Sequence, residues 1–417
     1  MKTYAFFFIA CISTGSLRAQ VTLQSCQEKA KANYPMIKQY DLISKSSEYN
    51  ISNANKAYLP QISVTGIGAY IFKGLPSASL PGAAPKEENK TQLIGIGQIN
   101  QTLWDGGATR TQKEIIKAGA EVEKSSIDVA FHSIRERVNQ LYFGILVIDA
   151  QLNQLTIFRA NLDRNLKAIS LSKNNGLAYQ TDIDELNAES MNLDQRMIEF
   201  NYTRKGYIEM LSYLIGQPMS DTTHFTKPII LDSVSSSSIN RPELMLYANQ
   251  RKLVTAQSSL NRVYNMPKIG LLGAAILIEP GTSFGTSTLS SLALGGVSLS
   301  WNTSGLYKTS NNKQLDKLSL DKISSQEETF LFNTHLQLKQ VSTDIEKQRS
   351  ILAKDREITQ LKSKIRTGYQ LKYDNGVSSM NELIQAMNKE SESRSQEALH
   401  QVQLLMTLYN YQTLSGN

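Results

Sequence analysis

The apolar residues of this chain recur with two different periods, one typical of helices and one typical of strands. Between Ile134 and Ile169 they return in alternating steps of four and three residues, over about five heptads. The members between those ends are Val138, Leu141, Ile145, Ile148, Leu152, Leu155, Leu162 and Leu166. This spacing predicts a coiled-coil helix over residues 113–174, which is far longer than an ordinary globular helix.

The same periodicity predicts a second long helix over residues 311–372. Its apolar positions are Leu331, Leu338, Val341, Ile345 and Leu352. After Leu352 the pattern shifts phase, and we expect the packed face to continue through Ile358, Leu361 and Ile365.

Four segments instead alternate every second residue, as strands do. They span residues 61–73, 92–104, 268–278 and 291–302. In the first, Ile62 and Val64 fall on one face, and Ser63 and Thr65 on the other. Gly-rich strands of about ten to twelve residues with terminal aromatic residues are typical of outer-membrane barrels. An ordinary soluble β-hairpin is the alternative interpretation.

The two halves of the chain are similar to each other. Without a gap, residues 33–66 align with residues 240–273, which pairs Asn33 with Asn240 and Pro60 with Pro267. We therefore predict an internal two-fold repeat. The predicted divisions are a signal peptide (1–19), a first repeat (20–216), a linker (217–239) and a second repeat (240–417). Each repeat contains a helix, two strands, a long helix, a tip (175–180 or 373–378) and a shorter helix (181–214 or 379–414).

The N-terminus has the pattern of a secretory signal, with Lys2 before an apolar stretch and a cleavage site after Ala19. A lipidation site at Cys11 is the alternative, although the apolar core before it is short for a signal. Cys26 would then be the one cysteine of the mature chain, and we interpret it as a buried apolar residue.

Composition excludes several classes of protein. The net charge of +7 is distributed among interleaved acids and bases, which is typical of solvated helices, so we expect no nucleic-acid partner. The four histidines have no partner at metal-ligand spacing, and no nucleotide-binding loop or nucleophile–base set is recognisable. We therefore predict no enzyme, no catalytic residue, no metal site and no cofactor.

Membrane insertion is predicted to use strands and not helices. After the signal, no stretch reaches the roughly eighteen apolar residues that a helical span requires. Four strands cannot close a barrel, and open edges are not tolerated in lipid. Two chains would give eight strands and a filled interior, whereas three would give twelve strands and a conduit. A pore of this kind would therefore be a homotrimer.

In the order of its motifs the chain resembles the TolC-type outer-membrane efflux proteins. The resemblance rests on the Asn-x-Pro starts at Asn33 and Asn240, the strand exit Leu103-Trp104-Asp105-Gly106-Gly107, and the tips around Gly176 and Gly376. It implies a membrane α+β fold in which four transmembrane strands per protomer contribute to a shared trimeric barrel of twelve strands. The long coiled-coil helices would form a periplasmic α-barrel.

The resemblance also implies a location and partners. The protein would lie in the outer membrane of a Gram-negative bacterium, in contact with lipid, and extend into the periplasm. A periplasmic adaptor (membrane fusion) protein would bind the tips, and an inner-membrane pump would act through that adaptor. The docking residues carried over from the family are Gly176, Leu177 and Ala178 in the first tip and Gly376, Val377 and Ser378 in the second.

Glycine at each tip would end a long helix, and a new helix would begin at a cap formed by Thr181 or Asp182 in the first copy and by Ser379 in the second. A plain turn between helices would need the same glycines.

By the same resemblance, a gate at the tips would be formed by Tyr373, Glu382 and Asp182. Two positions depart from the family pattern, because Ser378 replaces an arginine and Gln385 replaces a second acid. Glu382 would then form a ring of three carboxylates that attracts cations. Ser379 and Glu382 also have the spacing of a capping box, which is the alternative role of Glu382.

The sequence thus predicts a passive export duct of a tripartite efflux pump. A duct for type I protein secretion and a secreted trimeric coiled-coil fibre or adhesin are the alternatives. The sequence has no Met or His clusters, which disfavours a duct dedicated to the export of metal ions.

Overall fold

A computed structural model of the chain describes residues 21–70, 72, 91–175, 178–229, 238–279 and 290–416. The predicted signal peptide, including Cys11, lies outside these residues. Seven α-helices are described: α1 (Leu23–Asn33), α2 (Lys38–Asn55), α3 (Ala108–Asn174), α4 (Gln180–Ile215), α5 (Pro242–Val263), α6 (Thr309–Asp374) and α7 (Met380–Ser415). The strands are β1 (Gln61–Tyr70), β2 (Thr91–Trp104), β3 (Lys268–Glu279) and β4 (Ser290–Ser300). Their order along the chain repeats the succession helix, two strands, long helix, shorter helix.

The chain divides into two compact units. The helical unit comprises Met1–Ile37, Ala130–Arg241 and Asn333–Asn417, and the sheet unit comprises Lys38–Val129 and Pro242–Phe332. The long helices α3 and α6 each contribute residues to both units.

The sheet unit is built on one antiparallel sheet of four strands in the order β1-β2-β3-β4. Opposed residues such as Ile62, Ile99 and Gly273 lie on the same face, so the register fixes both faces of the sheet. Beside the sheet, buried Asn249 of α5 donates from its side-chain amide to Ser125 Oγ of α3 at 2.7 Å. Tyr40 of α2 donates to Asp128 of α3 at 2.5 Å.

The turn after β2 is organised by Asp105, which is 7% exposed. Its carboxylate accepts from the backbone of Gly107 at 2.9 Å and of Thr109 at 2.7 Å, and from the Tyr58 hydroxyl at 3.0 Å. These bonds satisfy amide groups that the first turn of a helix leaves without partners. Asp105 therefore fixes the start of α3.

The helical unit contains a core of aromatic and aliphatic residues. Tyr142, Phe143 and Ile145 of α3 are fully buried there, and Cys26 of α1 is 1% exposed. The interpretation of Cys26 as a buried residue is confirmed, and burial raises the pKa of its thiol to about 11. Phe225, from the predicted linker, is buried in the same cluster and its segment pairs with Val21.

A second feature of the helical unit occurs twice. Gly216 ends α4 with a φ of +67°, and the Asn33 side chain lies where a Cβ would be, donating to the carbonyl oxygens of Tyr213 and Leu214. Any side chain at Gly216 would therefore collide with Asn33. Gly416, which ends α7, is covered by the backbone of Asn240 and Arg241.

The heptad prediction for α3 is confirmed, since Val138, Ile145, Leu155, Leu162 and Ile169 are buried. For α6 it is confirmed only as far as Leu352. Ile358, Leu361 and Ile365 are exposed by 45%, 58% and 47%, so the predicted phase shift is wrong. The packed face keeps its seven-residue spacing through two polar residues, Thr359 and Arg366, whose partners on α7 are described below.

Candidate functional site

The candidate site lies in the helical unit, where the α3–α4 turn and the α6–α7 turn share one apolar cluster. Ala178 and Ile183 from the first turn pack in it with Tyr373, Met380 and Leu383 from the second. The structure therefore brings together the two tips that the sequence places about two hundred residues apart.

In the first turn, α3 ends at Asn174 and α4 begins at Gln180. The predicted docking residues Gly176 and Leu177 lie outside the described residues, whereas Ala178 is half-buried. The predicted caps Thr181 and Asp182 are wrong, because the N-cap is Tyr179. Asp182 stands three positions further on and accepts from the Tyr179 backbone amide at 3.1 Å, which is the carboxylate half of a capping box.

The second turn is a tight helix ending around Gly376. Gly376 has a φ of +70°, its amide donates to Tyr373 O at 2.9 Å, and the Val377 amide donates to Lys372 O at 2.8 Å. This is the Schellman arrangement, in which a left-handed residue lets the chain turn back on the last carbonyl groups. The turn leaves Val377 75% exposed.

Glu382 lies in the first turn of α7 and is fully engaged with the helix start. One of its oxygens accepts from the Ser379 backbone at 2.9 Å, from Ser378 Oγ at 2.7 Å and from Ser379 Oγ at 3.2 Å. Ser379 is the N-cap as predicted, and its hydroxyl accepts from the Glu382 amide at 3.2 Å. The capping-box role of Glu382 is therefore confirmed, while its gate role stays a prediction.

The hydrogen bonds at Glu382 have an electrostatic consequence. The Ser379 amide, and after it the two serine hydroxyls, lower the pKa of this exposed carboxyl below its usual range. Glu382 therefore keeps its negative charge over the whole neutral range.

Tyr373 links the two turns. Burial, and after it the nearby Asp182 and Asp374 carboxylates, raises the pKa of the Tyr373 phenol. Asp182 and Tyr373, which the sequence assigned to one gate from opposite halves of the chain, are thus close enough to interact. At the two positions that depart from the family pattern, Ser378 bonds Glu382, and Gln385 donates to Asn381 at 3.0 Å.

A buried ionic group beside these turns was missed in the sequence. Glu390 of α7 is 6% exposed and lies between two arginines. Arg366 of α6 donates from Nε to one carboxylate oxygen at 2.8 Å, and Arg394 donates from Nη2 to the other at 2.8 Å. The signal was available, because Met380, Leu383, Met387 and Glu390 are spaced as an apolar seam in which only the last is charged.

Burial and hydrogen bonding shift the pKa of the Glu390 carboxyl in opposite directions. Burial alone would raise the pKa of this carboxyl, but the bonds from Arg366, Arg394 and Ser363 outweigh it, so the pKa is lowered. One turn away, the Thr359 and Ser393 hydroxyls are 3.0 Å apart. The polar positions of the α6 seam are thus paired with polar groups on α7.

A cavity of about 240 Å³ opens beside this ionic group. Its lining includes Asn161 and Arg164 of α3, Arg366 of α6, and Met387 and Arg394 of α7. Among the described residues, no cluster of three or more His, Cys, Asp or Glu side chains could hold a metal ion.

One helix of the described part, α3, contains a stretch long and apolar enough, by length and composition, to cross a membrane, and 39% of that stretch is buried. The expectation that no helix has such a composition is therefore corrected. A core helix passes the same test, and α3 supplies the fully buried Tyr142, Phe143 and Ile145.

Solved structures of outer-membrane channels have the same fold as this chain. The outer-membrane channel OprN superposes with a TM-score of 0.67 at 14% identity, over 95% of this chain and 90% of OprN. The CmeC outer-membrane channel of Campylobacter jejuni gives 0.64 at 14% identity, over 94% of this chain and 85% of CmeC. The open state of the Neisseria gonorrhoeae MtrE outer-membrane channel gives 0.62 at 16% identity, over 94% of this chain and 88% of MtrE.

No protein-family model and no curated protein sequence matches the chain. The three-dimensional likeness nevertheless defines the class of architecture: the chain has the fold of the outer-membrane channels. The resemblance to TolC-type proteins predicted a chain of long helices with four antiparallel strands, and that part of the prediction is confirmed.

Proposed function

We propose that this protein is the outer-membrane channel of a tripartite efflux pump, a passive and trimeric export duct. Its sheet would lie in the outer membrane of a Gram-negative bacterium and its helical unit in the periplasm. An inner-membrane pump would supply the energy through a periplasmic adaptor protein.

The observation that carries the proposal is the apolar face of the sheet, called here the lipid face. It is lined by Ile62, Val64, Tyr70, Leu93, Ile99, Leu271, Leu277, Val297 and Leu299, and each is at least 43% exposed. Tyr70 stands at one end of this face, and Trp104 at the other. An apolar band between aromatic residues is the surface that a barrel presents to lipid.

The edges of the sheet support a trimer. Within the described strands, β1 and β4 each pair with a neighbour on one side only. Free strand edges are costly in lipid, so β1 of one protomer would pair with β4 of the next. Three sheets of four strands would close a barrel of twelve strands that is wide enough to conduct.

The two turns supply the remaining parts of the proposal. The adaptor would bind residues of both turns. In the second turn these are Gly376, exposed Val377 and Ser378, and in the first turn Gly176, Leu177 and Ala178. Asp182, Tyr373 and Glu382 would form the gate, and the proximity of Asp182 to Tyr373 supports the pairing of the two tips.

The proposal is tested by planar-bilayer conductance of the detergent-purified protein, with chemical cross-linking to count subunits. We expect single-channel steps from a trimer, and larger steps when Tyr373→Phe and Asp182→Asn loosen the gate. A protein that is extracted without detergent and never inserts would contradict the proposal and would instead fit a secreted coiled-coil fibre.

A further inference from the structure

The face of the sheet opposite the lipid face changes character along its length. Near the helix connections most of its residues are polar, and they include Gln61, Ser63, Gln98, Asn100, Thr102 and Ser298. Two aliphatic residues, Leu272 and Leu294, lie among them on β3 and β4. Toward the other end of the strands the residues of the same face are aliphatic. They form an aliphatic belt of Ile67, Ile94, Ile96, Ile276, Ile278 and Leu292.

The belt is continuous across the sheet. Ile96 lies opposite both Thr65 and Ile276, and Ile276 lies opposite Leu292. In the next row, Ile94 lies opposite both Ile67 and Ile278. Side chains directly opposed on antiparallel strands are about 5 Å apart and pack together.

Burial within one protomer agrees with this packing. Ile94, Ile96, Ile276 and Ile278 on the inner strands are half-buried, whereas Ile67 and Leu292 on the edge strands are 45% and 58% exposed. The belt is therefore packed on β2 and β3 and open at the two edges of the sheet.

The polar half of the belt face indicates whether this face points to lipid or to the interior of the proposed barrel. Amide and hydroxyl side chains such as Gln98, Asn100 and Thr102 are costly against lipid hydrocarbon, so this face points to the interior of the proposed barrel. Porin interiors are polar along their length, and aliphatic rows on the interior face depart from that pattern.

We propose that the belt forms a hydrophobic girdle in the lumen that favours solutes with apolar surface and disfavours bare ions. The inference rests on the proposed function, because only a closed barrel makes this face a lumen. Three protomers would repeat the six aliphatic side chains around the pore. An aliphatic wall offers no hydrogen bonds to water or to hydrated ions, whereas lipophilic or amphipathic molecules gain by contact with it.

The test compares the wild-type channel with Ile96→Thr/Ile276→Thr in planar bilayers. Threonine keeps the β-branched shape and strand preference of isoleucine while adding a hydroxyl. We expect the ion conductance to rise about two-fold, because the girdle becomes wettable. Tetraphenylphosphonium, a lipophilic cation, should block the wild-type current transiently and lose that block in the variant.

Two further variants make the result specific. Gln98→Thr/Ala274→Thr changes the same two strands on the same face, one row nearer the helices, and should leave conductance and block unchanged. Ile96→Phe places a larger apolar side chain in the lumen, so it should lower the ion conductance and lengthen the block by tetraphenylphosphonium.

The outcomes separate the two proposals. If both belt variants show the conductance and the tetraphenylphosphonium block of the wild-type channel, the girdle is overturned and the duct stands. If neither the wild-type trimer nor any of these variants gives a current, the duct is overturned, and the girdle with it.

Discussion

At the scale of single residues, Asp105 illustrates how one side chain can set the start of a long helix. Two of its three hydrogen bonds replace water at amide groups of the turn between β2 and α3, and the third comes from the Tyr58 hydroxyl. We expect Asp105→Ala to lower the free energy of unfolding by about 1 kcal/mol, the usual cost of losing such a cap. Thermal melting of the detergent-solubilised protein measures this, with Glu123→Ala at an exposed position of the same helix as the control.

The same residue gives a pH dependence. Burial alone would raise the pKa of Asp105, but hydrogen bonds from Thr109, Gly107 and Tyr58 lower it below the ordinary value of 3.8. A lowered pKa stabilises the fold above the unfolded-state pKa, and this contribution is lost as the pH falls through the folded-state pKa. Asp105→Ala should therefore cost stability at neutral pH and progressively less in acid, and an equal cost at both would contradict the assignment.

Glu382 permits a second prediction at this scale, because its charge and its capping role can be separated. Glu382→Gln removes the charge that the lowered pKa maintains, so we expect weaker cation selectivity in bilayer reversal potentials. Ser379→Ala removes the cap hydroxyl and keeps the charge, so it should reduce helix stability and leave selectivity unchanged. Equal selectivity of the wild type and Glu382→Gln would refute the gate role.

At the scale of elements, the pairing of α6 with α7 depends on buried polar groups. Glu390→Ala would leave Arg366 and Arg394 without their shared partner, and because both guanidinium groups keep access to solvent we expect a loss of about 2 kcal/mol, the usual worth of hydrogen bonds to a charged group. Glu392→Ala, two residues along the same helix at an exposed position, should have almost no effect. Denaturant unfolding in detergent compares the two variants, and similar losses from both would count against a specific α6–α7 link.

These elements also mark how far the sequence could predict the fold. The long helices and the four strands were predictable within a few residues because apolar periodicity reports burial directly. The seam of α6 beyond Leu352 was mispredicted because buried Thr359 and half-buried Arg366 are polar, and they are paired with Ser393 and Glu390 on another helix. One-dimensional periodicity cannot reveal a partner elsewhere in the chain. The Tyr179 cap was missed for a related reason. Tyrosine is not a usual capping residue, and the bond at this helix start runs from the Tyr179 amide to the Asp182 carboxylate three positions away.

At the scale of the whole molecule, the site was predicted less completely than the fold. Tyr373 and Asp182 could be paired only through a family resemblance, because nothing local to either residue indicates the other. In the structure the Asp182 carboxylate lies close enough to Tyr373 to raise the pKa of its phenol. A glutamate with an arginine four residues later, such as Glu390 with Arg394, is usually a solvated surface pair, so only the place of Glu390 in the α7 seam could have indicated its burial.

The residues that the mispredicted seam left exposed lead to a prediction about assembly. Ile358, Leu361 and Ile365 are spaced by three and four residues, so they form one apolar stripe on the outside of the protomer. Such a stripe favours contact with another helix, and in a trimer the available helix belongs to the neighbouring protomer. We expect Leu361→Glu to weaken the proposed trimer, because a charge would be buried in that contact. Gln360→Glu adds the same charge at the adjacent exposed position and should leave the trimer intact.

Cross-linking and sedimentation in detergent measure the trimer fraction. If Leu361→Glu assembles as well as Gln360→Glu, the stripe does not lie between protomers, and the strand edges β1 and β4 alone would have to hold them together.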